Sequence, residues 1–127
     1  VADVKAVMAN IMEPAADEYW DAVGTVIDSE GEHAIEPQTV EDWDKVRYNA
    51  YTFTEAGNLL MMPTRAQDNG EWMRLTQAFI DAGQKAIRAA EARNKTAVFD
   101  TGAEVYDACT ACHAAYALEL QKANLRQ

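Results

Sequence analysis

Serine is nearly missing from this chain: Ser29 is the only one in 127 residues. Nothing pairs two carboxylates with a nucleophile either, so a hydrolytic site has no support. Lysine and arginine are scarce, eleven against twenty-one acids, which leaves a formal charge of -10. That balance argues against nucleic acid, whose phosphates demand basic patches. Apolar runs are short, and none approaches the roughly 20 residues needed to span a bilayer. Gly and Pro are few, six and three, so the chain is neither collagen-like nor of a disordered type. An initiator Met and a secretory leader are also missing: the sequence opens Val1-Ala2-Asp3 and passes directly into amphipathic pattern. A processed mature form is the expectation.

What is present reads as one domain over residues 1–127, about half apolar and rich in Ala, Glu, Met and Leu, a composition that favours an all-α fold. From Asp3 to about Asp28 apolar residues recur at helical spacing, at Val4, Val7, Ile11, Ala15, Tyr19, Val23 and Val26. Pro14 inside this run predicts a kink near Ile11–Met12 or a restart at Pro14. Ser29 to Gln38 reads as a loop. Thr39 is a good N-cap for a second helix, Val40 to about Leu60, ended by Met61-Met62-Pro63. Asp68 resembles the cap of a third helix, about Glu71 to Arg93. Asn94-Lys95-Thr96 makes a short break before a fourth, about Ala97 to Asn124, with Val98, Phe99, Gly102, Val105, Tyr106, Cys109, Cys112, His113, Tyr116 and Leu120 on its stripe. Four such helices predict an antiparallel four-helix bundle.

Cysteine is as limited as histidine, two of each, and three of these four residues fall in Cys109-Thr110-Ala111-Cys112-His113. C-x-x-C-H is the attachment signature of c-type haem. On a helix the two thiols are i,i+3 neighbours and His113 is i+4 to Cys109, so all three share a face. They can add to the two vinyl groups of one porphyrin and supply the proximal iron ligand from the same side. Three other readings stay open: a redox dithiol, which belongs near a βαβ pattern; half of a zinc site, which needs four ligands; and a chance match. No convincing strand is read along the chain, and His33 lies far away in the loop-like stretch. Covalent attachment of one haem c to the last helix, facing the interior, is therefore the expectation. Such attachment in bacteria takes place outside the cytoplasm, which makes the periplasm the expected location.

A four-helix pattern with Cys109-x-x-Cys112-His113 in its last helix resembles the class II cytochromes c, the cytochrome c′ family. Met8-Ala9-Asn10-Ile11-Met12-Glu13-Pro14-Ala15-Ala16-Asp17 with Trp20-Asp21-Ala22-Val23-Gly24 looks like a subgroup of bacterial periplasmic relatives. The resemblance implies that a first-helix residue faces the open side of the iron. Met8 matches that position, Met12 lies one turn on, and Met61, Met62 and Met73 follow. A methionine there implies a six-coordinate electron carrier that is not an enzyme and works with redox partner proteins. A non-ligating residue implies a five-coordinate protein that binds or sequesters NO or CO. A peroxidase would need polar distal groups, and the first helix offers mostly Met, Ile, Val and Ala.

Many members of the family pair through their first two helices, which implies a homodimer as one arrangement. The family commonly carries a basic residue four positions after the haem histidine; this chain has Ala117, leaving Arg65, Arg74, Lys85 or Arg88 to meet a propionate. His33 reads as an exposed loop residue. Trp20, Trp43 and Trp72 read as core or haem-packing aromatics, and Tyr116 shares the face of His113.

Overall fold

The computed structural model describes the backbone of residues 1–125 and the side-chain surroundings of residues 1–117. The chain is mostly helical, with one small sheet. Its first arm is continuous but not uniform: α1 (Val4–Val7), a π-helical turn (Met8–Met12) and α2 (Glu13–Asp21) follow without a break. Strands β1 (Gly24–Asp28) and β2 (Gly31–Ile35) come next, then α3 (Val40–Met61), α4 (Glu71–Glu91) and α5 (Lys95–Leu125).

The N-caps explain most of the helix starts. Asp3 accepts the Ala6 amide at 2.8 Å at the head of α1. Thr39 and Asp42 form a reciprocal capping box at α3, as the sequence leads one to expect of Thr39. At α4 the expectation needs adjustment. The cap residue is Gly70, and Asp68 works from two residues before it, accepting the Gly70 and Trp72 amides at 2.9 Å each. Asn94 Oδ1 accepts the Ala97 amide at 3.0 Å where α5 begins.

Two expectations are corrected between residues 22 and 38. The first helix ends at Asp21, seven residues short of Asp28, and the stretch read as a loop holds a strand, so the fold is not purely all-α. Val26 and Ile27 continue the helical period of the first arm, which hid the signal. Gly24 followed by the β-branched run Thr25-Val26-Ile27 is strand chemistry, and the local preference wins because this segment has no core to face. β1 and β2 pair antiparallel, Gly24 opposite Ile35 and Ile27 opposite Glu32. Asp28 Oδ1 accepts the Glu30 amide at 2.8 Å in the turn. Gly31 has φ +115°, a conformation that L side chains rarely adopt.

α3 lies against α2 and α4, and α4 against α5, whereas α2 touches α5 more sparsely. Tyr19, Phe53 and Phe79 run through the centre, with ring centroids 5.4 Å and 6.1 Å apart. α3 and α4 approach closely because Gly57 and Gly83 have no Cβ; one at Gly83 would sit 2.3 Å from Thr54 Oγ1. The stripe expected on the last helix holds for Val98, Gly102 and Val105, which are buried, but Phe99 and Tyr106 are exposed. Leu120 lies outside the described side chains.

Candidate functional site

Cys109, Cys112 and His113 lie near the middle of α5, and Cys109 and His113 face the first arm across the sparse seam between α2 and α5. The arm meets them with its irregular segment. Pro14 has no amide hydrogen, so the Asn10 carbonyl has no i+4 donor. One residue earlier, the Glu13 amide reaches back five residues to the Met8 carbonyl. The wider turn spans Met8 to Met12, and the kink expected near Ile11–Met12 takes this form.

A cavity of about 260 Å³ opens between the two elements, lined by Met8, Met12, Trp20, Tyr106, Cys109 and His113 among others. Its rim carries Glu13 and Asp17. A smaller void of about 20 Å³ lies deeper, where Met8, Met12, Cys109, Cys112 and His113 meet Leu60, Leu75, Thr76 and Phe79. The four residues singled out for the site, Met8, Cys109, Cys112 and His113, are therefore brought together, and Met12 with them. Met61, Met62 and Met73 line neither space. His113 itself is exposed, not enclosed as the stripe on its helix implies, while both cysteines are half-buried. His33 belongs to the hairpin, 3.3 Å from Asp28.

The walls were only partly legible in the sequence. Phe99, Tyr106 and His113 are spaced by seven, one stripe on a helix, which points to Tyr106. Trp20, Leu60, Leu75 and Phe79 come from other elements, and local spacing cannot place them. Trp20 donates from Nε1 to the Gly102 carbonyl at 2.9 Å and meets Tyr106 edge-on at 5.6 Å. Trp72 is fully buried, donates to the Leu60 carbonyl at 2.7 Å and meets Tyr116 edge-on at 5.0 Å. The Tyr116 hydroxyl bonds Asp68 Oδ2, tying the α3–α4 connection to α5 just beyond the motif. That bond is the main reason the Asp68 carboxyl is held below its usual value and the Tyr116 phenol is pushed up to about 12. Of the cations proposed for a propionate, Arg74 pairs with Glu71 and Lys85 with Glu104 at 3.4 Å. Arg65 is buried, its guanidinium donating to the carbonyls of Ala2 at 2.9 Å and Leu59 at 3.3 Å.

No known protein family, curated protein or solved structure matches this chain. The chemistry of the site must then be weighed on its own residues. Burial pushes the Cys109 thiol up to about 11 and raises Cys112 as well. A redox dithiol of the C-x-x-C type needs the opposite, a thiolate favoured by nearby cations or a helix N-terminus. A closed zinc site needs four ligands, and among the described residues no group of three or more His, Cys, Asp or Glu is placed to hold a metal ion. Two thiols, an imidazole and two thioethers around two largely apolar spaces that share Met8, Met12, Cys109 and His113 are a donor set that fits a covalently held haem.

Proposed function

We infer that this protein is a c-type cytochrome of the class II kind, an electron carrier with one haem c. Its helices are read as an antiparallel four-helix bundle whose last member carries the cofactor. Cys109 and Cys112 would hold the porphyrin by thioether bonds, and His113 and Met8 would ligate the iron. The observation that carries the reading is the π-helical turn, which sets Met8 and Met12 on the same cavity as Cys109 and His113 and on the same deeper void as Cys112. A bound haem supplies one-electron chemistry at its iron. The chain's residues would set the conditions for it. The Met8 thioether, as a ligand, would favour the reduced form and so a higher potential. Leu60, Leu75 and Phe79 keep water from the inner wall, and the packed helices limit rearrangement between oxidation states. The protein would transform no substrate. Its location would be the periplasm and its partners other redox proteins.

Two measurements on the purified protein test this. Denatured protein should keep its haem absorption and the added mass, because thioether bonds survive unfolding; loss of both sinks the haem assignment. The folded protein should be low-spin, with a weak near-infrared sulfur-to-iron band when oxidised. A high-spin spectrum that shifts at once with NO or CO would overturn the carrier reading and make this a five-coordinate gas-binding protein.

A further inference from the structure

We propose that the hairpin Gly24–Ile35, with the carboxylates around its base, is a docking surface for a protein whose face is basic at the rim and apolar at the centre. The proposal goes beyond the haem reading and does not depend on it. Its first ground is the placement of charge. Residues 6–44 contain eleven carboxylates and no lysine or arginine, whereas the rest of the chain has ten acids against eleven bases. The net negative charge of the protein therefore resides in most of the first arm, the hairpin and the start of α3.

The second ground is an apolar surface that the fold does not use. β1 and β2 pair with one another and make little contact with the helices. Ile27 is 75% exposed, and Val26 and Ile35 are 41% exposed. Ile27 stands directly opposite Glu32 on one face of the hairpin, and Val26 and Ile35 lie on the other, opposite His33 and Gly24. A lone two-stranded hairpin is at best marginally stable in water, and apolar residues held outside the core mark a surface that something else covers.

The base of the hairpin is nevertheless fixed. Glu36 is bonded to Lys95 at the head of α5 at 2.7 Å, and Asp42 accepts the Gln38 amide at 2.9 Å. The hairpin is held out from the body with its edges unpaired, which lowers the ordering penalty of binding. Charge decides the occupant. A second copy would bring like charge against like, and nucleic acid or an anionic membrane would be repelled. A lysine- or arginine-rim around an apolar centre complements the surface, and such an arrangement is common at protein interfaces.

The test uses the intact protein as purified and a short synthetic peptide alternating lysine and leucine. Its controls are the glutamate–leucine counterpart, oligolysine and anionic lipid vesicles. The lysine–leucine peptide should bind, with amide shifts confined to the hairpin and its base. Affinity should fall at least about tenfold between about 50 and 300 mM salt. It should fall as far in Ile27→Ser and in Glu30→Lys/Glu32→Lys, surface changes that leave helicity and the haem spectrum unaltered. Replacing Gly24–Ile35 by a short Gly-Ser link should abolish binding with the haem retained. Absence of binding, equal binding of oligolysine, shifts centred on α4 or α5, preference for vesicles, or indifference to these variants would each overturn the proposal. None of these outcomes is read from haem content, so the carrier reading stands or falls separately.

Discussion

Met8 is the residue on which the carrier reading turns, and its environment gives a sharp expectation. It is half-buried at the start of the π-helical turn and borders both the open cavity and the deeper void. Met8→Ala should convert a low-spin spectrum to a high-spin one; an unchanged spectrum would remove Met8 as ligand and direct attention to Met12. A second expectation concerns packing. Among the described residues, Thr54 Oγ1 is a buried oxygen with no hydrogen-bond partner, pressed against the missing Cβ of Gly83. Thr54→Val removes an unsatisfied hydroxyl and should stabilise the fold by about 1 kcal/mol in denaturant titration. Gly83→Ala puts a methyl 2.3 Å from that oxygen and should destabilise by about 1–3 kcal/mol. Neither effect was readable from the sequence, where Thr54 and Gly83 are unremarkable members of two helical runs.

At the scale of elements, the join between α4 and α5 holds a small strain. Arg93 has φ 51°, and its amide bonds the Ala90 carbonyl while Asn94 reaches Ala89, both at 3.0–3.1 Å. This is a Schellman ending with arginine where glycine is favoured. Arg93→Gly should raise stability by about 0.5–1 kcal/mol, seen as a higher melting temperature, since the relief of left-handed strain exceeds the added freedom of the unfolded chain. The break expected at Asn94-Lys95-Thr96 was legible to within a residue or two. The hairpin was not, because Val26 and Ile27 fit both a helical and a strand reading and only their exposure tells the two apart. The π-helical turn was legible as an irregularity at Pro14, but its form depends on the backbone bonds that Pro14 leaves open.

The whole molecule is fastened near its candidate site by the Tyr116–Asp68 bond, and pH should reveal it. Asp68 is lowered from 3.8, so its contribution is present above that value and is lost as pH falls through the folded one. Tyr116 is raised from 10.0 to about 12, so its contribution is present below 10 and is lost as pH rises through about 12. Tyr116→Phe should therefore lower the melting temperature by a constant amount across the neutral range. The difference from the parent should shrink below about pH 4 and above about pH 10. A difference independent of pH would assign the loss to packing against Trp72 alone. Asp68 is exposed and Tyr116 only half-buried, so the shift should be modest.

The sequence alone named the candidate chemistry: C-x-x-C-H is closed within five residues, and its spacing on a helix follows from backbone geometry. The three later helices and the cap at Thr39 were settled in the same way, because periodicity and capping are local. Only the tertiary structure decided what stands across from the motif. Met8 and His113 are separated by most of the chain, and their meeting depends on how the first arm lies against α5 and on a turn widened at Pro14. It also decided that Val26 and Ile27 face outward, since burial is a property of neighbours and no stretch of sequence contains its own.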